Sequence, residues 1–152
     1  MRCYVFDIDG TLADCSHRLH HILKKPKDWR AFFAACGDDI PIPHMIELAK
    51  RLWATTPIVF VSGRSDECRD LTVNWLERQG FAYVGAKSNH SYRLYMRKAG
   101  DYRGDDVLKG ELLDEVLADG FEPIMAFDDR NRVVATWRSR GIPCAQVAEG
   151  NF

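Results

Sequence analysis

The sequence predicts an α/β fold in which about five mostly parallel strands form one sheet with helices on both faces. Short apolar runs, the length of strands, alternate along the chain with stretches in which apolar residues recur at helical spacing. Most of the short runs are continuously apolar, as in strands covered on both sides. Strand–helix–strand alternation of this kind favours parallel pairing with crossover helices.

The first half of the chain supplies two strands and two helices of this layout. The apolar run at residues 3–6 predicts the first strand, and residues 44–54 predict a helix because their charges lie opposite an apolar face. The run at 57–61 predicts a second, buried strand. A helix over residues 66–78 follows, and Asp66 is its expected N-cap.

The second half repeats the alternation. Residues 81–84 predict a third strand, followed by a polar and basic loop. Helix signals cover residues 105–120, where a glycine ends the pattern. The apolar run at 123–127 predicts a fourth strand, the helix at 132–140 leads away from it, and residues 144–147 predict the fifth.

Residues 13–42 do not fit the alternation and are predicted to form a small helical cap insert over the loop that follows the first strand. Asp28 is the expected N-cap of a short helix within it. The histidines at positions 17, 20 and 21 lack the acid or cysteine spacing of a metal site, which favours a solvated cap face. No linker or repeat is visible, so residues 1–152 are predicted to be one domain.

Composition excludes several classes of protein. The 152 residues are 46% hydrophobic and 28% charged, as in ordinary globular proteins, and the net charge of −1 provides no overall attraction to nucleic acid. The five cysteines are scattered and form no C-x-x-C pair, which favours reduced thiols over a disulfide framework or a zinc site. With no apolar run near 18 residues, neither a signal peptide nor a membrane span is expected.

Two acids, Asp7 and Asp9, directly follow the first predicted strand and precede Gly10 and Thr11. Side chains two residues apart in a strand point the same way, so both carboxylates are expected to project at the strand's carboxyl end. Neighbouring carboxylates repel each other, and a divalent cation such as Mg²⁺ relieves that repulsion. The alternative is an acidic turn closed by Asp-Gly.

Two further predicted strands also end in polar residues, at Ser62 and Arg64 and at Asp128 and Asp129. The carboxyl ends of parallel strands lie on one edge of a sheet, where open α/β sheets bind ligands. Lys109, in the first turns of a helix, could reach the same edge. A carboxylate nucleophile, a hydroxyl, a lysine and acids for Mg²⁺ together predict a phosphoryl-transfer site.

These clusters resemble the four motifs of the haloacid dehalogenase (HAD) superfamily of phosphohydrolases, which implies a Rossmann-like three-layer fold. Asp7-Ile8-Asp9-Gly10-Thr11 matches its D-x-D-G-T motif, and the other three clusters follow in the right order. Ser62-Gly63-Arg64 and Arg103-Gly104-Asp105-Asp106-Val107-Leu108-Lys109 further resemble the 3′-phosphatase domains of phage polynucleotide kinase-phosphatases, which implies nucleic acid repair in the host cytoplasm. A G-x-x-x-x-G-K-[ST] phosphate loop is absent from the sequence, so no kinase domain is expected in this chain.

The resemblance implies a role for each matched residue. Asp7 attacks phosphorus to form an aspartyl-phosphate, and Asp9 is the general acid and then the general base. Mg²⁺ is held by the Asp7 carboxylate, the backbone carbonyl of Asp9 and Asp128, with Asp129 near it. Ser62 and Lys109 bind the phosphate oxygens.

The resemblance also implies a set of substrate-binding positions, namely Thr11, Arg18, Gly63, Arg64 and Asp105. Arg18 and Arg64 are expected to contact the phosphate or the substrate strand, and Asp105 to orient Lys109 or an arginine. The alternatives are a solvated cap arginine for Arg18, a helix-entry residue for Arg64 and an N-cap for Asp105.

Two stretches could bind a nucleic acid strand, because residues 16–30 and 87–103 each carry five Lys or Arg against one acid. Cations follow a phosphate backbone, and the tyrosines of the second stretch (92, 95 and 102) could stack on bases. With the family resemblance, this favours 3′-phosphorylated DNA or RNA ends as substrate. The alternatives are a phosphatase of free nucleotides or other small phosphomonoesters, and a non-catalytic module that binds nucleic-acid ends.

Overall fold

The computed structural model describes residues 1–82 and 92–152, and these form seven strands and six α-helices. The strands are β1 (Arg2–Phe6), β2 (Ala13–Asp14), β3 (Ile40–Pro41), β4 (Ile58–Ser65), β5 (Arg93–Arg97), β6 (Glu122–Asp128) and β7 (Cys144–Gln146). The helices are α1 (His20–Leu23), α2 (Trp29–Ala34), α3 (Pro43–Trp53), α4 (Arg69–Arg78), α5 (Asp105–Ala118) and α6 (Asn131–Ser139).

Five of the described strands form a parallel sheet in the order β5-β4-β1-β6-β7. The first strand of the chain is therefore the central one, with Phe6 aligned to Phe60 of β4 on one side and to Phe127 of β6 on the other. The carboxyl ends of these three strands consequently lie side by side. The prediction of an α/β sheet with about five mostly parallel strands is confirmed.

Alternating side chains of the central strands give the sheet an apolar layer on each face. Val5 packs with residues of α5 and α6, whereas Phe6 and Phe60 pack with residues of α3 and α4. The rings of Phe60 and Phe81 meet edge to face at 5.3 Å between centroids. Helices therefore cover both faces, as the continuously apolar strands required.

Residues 13–42, called the cap below, lie between β1 and α3. Strands β2 and β3 pair antiparallel at its base, and the amide of Ile42 donates to the carbonyl of Leu12 at 2.8 Å. Between them lie the short helices α1 and α2, and the Asp28 carboxylate caps α2 by accepting from the amide of Ala31 at 2.9 Å. The predicted N-cap at Asp28 is confirmed.

Half of the third predicted strand is wrong, because residues 81–82 lie outside any strand although Phe81 is buried. Its other half, residues 83–84, falls within residues 83–91, which lie outside the described residues. The strand beside β4 is β5, which the sequence assigned to a polar loop. Its last four residues are buried, although Arg97 is charged, because this guanidinium donates to the carbonyls of Asp101 and Arg103 at 3.0 and 2.8 Å.

The packing of β5 also corrects the expectation that tyrosines of the second basic stretch stack on bases. Tyr95 is buried and its hydroxyl donates to the Asp119 carboxylate at 2.5 Å, while Tyr92 is 1% exposed. Tyr102 alone of the three tyrosines, all of which the structure describes, is largely exposed. The expected row of stacking tyrosines is therefore not present.

The expected N-cap at Asp66 is one residue off. The Ser65 hydroxyl accepts from the amide of Glu67 at 3.3 Å and caps a 3₁₀ turn over Asp66–Cys68 that leads into α4. The Asp66 carboxylate instead accepts from the amide of Ala99 at 3.0 Å. Across the described residues, no helix has the length and apolarity needed to cross a membrane.

Phe60→Ala should lower the free energy of unfolding by about 3–5 kcal/mol, because it leaves a cavity in the layer beneath β4. Urea unfolding would measure the change. Leu71→Ala, which truncates a side chain that is 40% exposed, serves as control and should change stability by less than about 1 kcal/mol. Equal effects of the two substitutions would contradict this packing.

Candidate active site

The polar clusters predicted from the sequence meet at the carboxyl edge of the sheet. Asp7 directly follows β1, Ser62 lies in β4, and Asp128 ends β6, so the three strands that carry them are adjacent. Gly10 has φ +82, and a Cβ at this position would collide with the Asp129 carboxylate. Because glycine has no Cβ, the turn after β1 approaches the end of β6 more closely than it could with any other residue at position 10.

Lys109 links the two strand ends through its ammonium group. Its Nζ lies 2.7 Å from Asp7 Oδ1 and 2.8 Å from Asp128 Oδ2, and all three side chains are buried. Burial alone would lower the pKa of Lys109, but Asp128 and Asp7 outweigh it and raise the pKa. The Thr11 hydroxyl donates to Asp7 Oδ2 at 3.3 Å. The Asp7 carboxylate is therefore held at both oxygens.

Three carboxylates at this edge form a group that could hold a cation. Asp7, Asp128 and Asp129 are all buried, and one oxygen from each lies within 4.8 Å of the others. Burial raises the pKa of Asp7 well above its usual value, and the charges of Asp128 and Asp129 add to the rise while Lys109 opposes it. Three buried oxygen donors with one ammonium group leave an excess of negative charge, which fits Mg²⁺.

Asp9 belongs to a separate group of charges. Its Oδ1 accepts from Arg18 Nη2 at 2.8 Å and from Arg64 Nε at 2.9 Å, and both arginines are fully buried. Burial acts to raise the pKa of Asp9, but the two guanidinium groups outweigh it and lower the pKa. The structure therefore brings Arg18 of the cap and Arg64 of β4 together on the second acid of the motif.

Asp39, in the cap, completes this group and was missed by the sequence analysis. Its Oδ1 accepts from Arg18 Nε at 2.8 Å, and its Oδ2 accepts from Arg18 Nη2 and Arg64 Nη2, each at 2.7 Å. His17 Nε2 lies 2.8 Å from Asp39 Oδ1 at the partly exposed end of the group. The backbone carbonyl of Asp39 accepts from Trp75 Nε1 at 2.7 Å, which fixes the cap to α4.

No motif spacing pointed to Asp39, because its partners lie 21 and 25 residues away and on different elements. The available signal was its place in a pair of acids, Asp38-Asp39, within an otherwise basic insert. Thr72 of α4 was missed for the same reason, and its hydroxyl accepts from Arg64 Nη1 at 3.1 Å.

Asp105 is placed beside arginines and not in contact with Lys109. Its carboxylate pairs with Arg97 of β5 and accepts from Arg130 Nη1 at 2.8 Å. The N-cap of α5 is Gly104, so Asp105 is the first helical residue. A Cβ at Gly63 would lie 2.9 Å from Asp105 Oδ1, so the backbone of β4 lies close against this carboxylate.

The remaining site residues predicted from the sequence lie along β4 and beside β6. The Ser62 hydroxyl is buried and accepts from the amide of Arg64 at 3.2 Å, and the Gly63 carbonyl accepts from Arg97 Nε at 2.8 Å. Asp128 is further held by Trp137 Nε1 at 3.2 Å. The sequence had placed Arg97 among the cations of the second basic stretch and had given no role to Trp137.

Comparison with known proteins agrees with the family resemblance found in the sequence. The family model described as "Polynucleotide kinase PNKP phosphatase domain" matches residues 1–152. A protein of Autographa californica nuclear polyhedrosis virus named "Putative bifunctional polynucleotide kinase/RNA ligase" is 40% identical over 86 residues, which are 57% of this chain and 11% of that protein.

Solved structures share the fold. A chain of the Pnkp1/Rnl/Hen1 RNA repair complex superposes with a TM-score of 0.78 and 26% identity, over 99% of this chain and 43% of that chain. A HAD family enzyme of Bacteroides thetaiotaomicron, solved with magnesium and inorganic phosphate, superposes with a TM-score of 0.57 and 14% identity, over 100% of this chain and 96% of that chain. The chain thus spans less than half of the polynucleotide-kinase-type proteins it matches.

Asp39→Asn should lower the free energy of unfolding by about 3 kcal/mol, because two buried guanidinium groups would share the single carboxylate of Asp9. It should also lower phosphatase activity, since Arg18 and Arg64 lose their common support. Urea unfolding and a phosphate-release assay would measure both effects. Asp38→Asn is the matched control, because Asp38 is the neighbouring acid and is exposed. Indistinguishable variants would contradict a supporting role for Asp39.

Asp129→Asn should raise the melting temperature on the order of 4 °C at pH 7.5 in EDTA. Burial and the neighbouring Asp128 raise the pKa of Asp129 to about 6, so its ionisation above that pH destabilises the metal-free fold. The gain should decline as the pH falls through 6 and disappear below about 3, where Asp129 is protonated in both the folded and the unfolded protein. Thermal melts across this range would measure it.

Glu77→Gln, which removes an exposed acid from α4, is the control for Asp129→Asn and should not alter the melting temperature. A wild type that melts above Asp129→Asn at pH 7.5 in EDTA would contradict the repulsion inferred among the three acids.

Proposed function

The chain belongs to the family of polynucleotide kinase PNKP phosphatase domains and is a phosphatase, and we propose that its substrate is the 3′-phosphorylated end of a polynucleotide. The observation that carries the proposal is the pair of acids after the central strand. Asp7 is paired with Lys109, and Asp9 is paired with Arg18 and Arg64. The two acids therefore stand in different environments, as a nucleophile and a general acid/base require.

Asp7 is the proposed nucleophile. Its carboxylate oxygen attacks phosphorus, the bond from phosphorus to the 3′ oxygen breaks, and an aspartyl-phosphate forms. Lys109 and Thr11, which already contact the two oxygens of Asp7, hold the carboxylate in one orientation. Ser62, buried within the neighbouring strand β4, would donate to a phosphate oxygen.

Asp9 is the proposed proton carrier. It donates a proton to the departing 3′ oxygen and then takes one from the water that hydrolyses the aspartyl-phosphate. Arg18 and Arg64 lower the pKa of Asp9 while they contact it. A phosphate that enters the site competes for these guanidinium groups, and as they engage the phosphate the pKa of Asp9 rises toward the range of a proton donor.

Asp7, Asp128 and Asp129, together with the backbone carbonyl of Asp9, are the proposed ligands of Mg²⁺. Support comes from the three buried oxygen donors within 4.8 Å of one another. Bound there, Mg²⁺ would offset the charges of the carboxylates and of the phosphate. Asp105 would act indirectly, by holding Arg97 and Arg130 beside the strand that carries Ser62 and Gly63.

A polynucleotide is favoured over a small phosphomonoester by two features. The family and the described relatives are of polynucleotide kinase type, and the cap beside the site is strongly basic over residues 16–30. We further propose that residues 1–152 act as a single domain whose cap, residues 13–42, contributes Arg18 to the site.

Phosphate release from three substrates would test the proposal, with Mg²⁺ present. The substrates are a 3′-phosphorylated oligonucleotide, the same oligonucleotide phosphorylated at its 5′ end, and a mononucleotide. Wild type should prefer the first, EDTA should abolish turnover, and Asp7→Asn should reduce it by about 10³-fold or more because the nucleophile is lost. Asp70→Asn, at an exposed acid of α4, is the control.

Three outcomes would contradict parts of the proposal. Equal rates at 3′ and 5′ ends would remove the end specificity. A preference for mononucleotides would favour a small-molecule phosphatase. Binding of 3′ ends without any phosphate release would favour a non-catalytic binding module.

A further inference from the structure

We infer that one face of the cap binds the single-stranded segment that leads to the 3′ end, with the indole of Trp29 stacking on a base and the surrounding cations following the phosphates. The inference rests on the proposed polynucleotide substrate and names the surface that recognises it. The cations are those of residues 24–30 (Lys24, Lys25, Lys27 and Arg30).

A continuous series of contacts joins Trp29 to the reacting groups. The ring centroid of Trp29 lies 5.7 Å from that of Phe32, edge to face. The guanidinium carbon of Arg18 lies 4.2 Å from the Phe32 centroid, and Arg18 Nη2 lies 2.8 Å from Asp9 Oδ1. Trp29 is therefore within reach of the last few nucleotides of a strand whose terminal phosphate is at Asp7.

Trp29 and the cations around it are available to a ligand. The side chain of Trp29 is 37% exposed, although Phe33 lies nearly parallel to it at 5.9 Å. Lys27 Nζ lies over the indole ring, 5.6 Å from its centroid, so a cation that can bind a phosphate adjoins the ring that can stack on a base. Over residues 1–82 and 92–152, none of the four cations near Trp29 forms a salt bridge.

The second basic stretch offers less in the part that the structure describes. Arg97 is buried and paired with Asp105, and Arg103 pairs with Asp101 at 2.8 Å and with Glu111 at 2.6 Å. Among the described cations of this stretch, Arg93 and Lys98 remain exposed and without a salt bridge, against the four of residues 24–30. A cation without an acid partner can neutralise a phosphate and release the counterion condensed there, whereas a cation already paired with an acid contributes less. The charge distribution therefore favours the cap as the path of the strand.

Steady-state kinetics of Trp29→Ala would test the stacking contact. On a single-stranded 3′-phosphorylated oligonucleotide, KM should rise about 5- to 100-fold, the range of one lost base stack, and Trp29→Phe should recover part of this loss. Turnover of a small aryl phosphate reports whether the variant keeps an intact catalytic site. Leu117→Ala, which truncates an exposed side chain of α5, is the control and should match wild type on both substrates.

A scan of abasic positions gives a second, independent measurement. Removing the base that stacks on Trp29 should raise KM for wild type and should not raise it further for Trp29→Ala, because the two changes remove the same contact. Lys27→Gln should make KM less dependent on salt than in wild type, whereas Lys98→Gln in the second stretch should not.

The outcomes separate this inference from the proposed function. If wild type dephosphorylates 3′ ends and Trp29→Ala does so with an unchanged KM, only the inference about Trp29 is overturned. That result would favour a protein, and not the substrate strand, as the partner of the cap surface. An increase in KM for Tyr102→Ala in place of Trp29→Ala would overturn it in favour of the second stretch. If wild type does not act on 3′-phosphorylated oligonucleotides, the proposed function fails first.

Discussion

The active site depends on four charges that compensate one another, of which Arg18, Arg64 and Asp39 are buried and Asp9 is partly exposed. Arg18 and Arg64 lie between Asp9 and Asp39, each guanidinium contacting both carboxylates. Removing charges from water is costly, and only close pairing with several hydrogen bonds offsets that cost. Since Arg64 belongs to β4 and Asp39 to the cap, this compensation also fixes the cap over the end of the central strand.

The second group of charges is built in the opposite way. Asp7, Asp128 and Asp129 have only Lys109 among them, and burial together with the charges of the neighbouring acids raises the pKa values of Asp7 and Asp129. One group of the site is therefore neutral and satisfied, whereas the other retains excess negative charge that a divalent cation can compensate. Asp7 and Asp9 are only two residues apart in one motif, yet they belong to different groups of charges. This separation supports the different roles proposed for them.

The parts of this protein that could be predicted from its sequence are those with local signals. The motif around Asp7 and the continuously apolar strands can be recognised from a few consecutive residues, because the residues that form the pattern are also those whose structure it predicts. Asp39 could not be found in this way, since its function arises from contacts with Arg18 and Arg64 on other elements. Strand β5 was missed because Arg97 made it look solvated, although that charge is buried by carbonyls and by Asp105.

The attachment of Arg18 to the cap has a consequence for how such proteins can diverge. Phe32 supports both Arg18, on the side of the site, and Trp29, on the side of the proposed strand path. Grafting the cap of a relative onto this sheet would replace half of the guanidinium pair along with the proposed strand-binding surface. In this architecture, an exchange of the cap would change the proposed substrate contacts and the charges around Asp9 at the same time, so the two are inherited together.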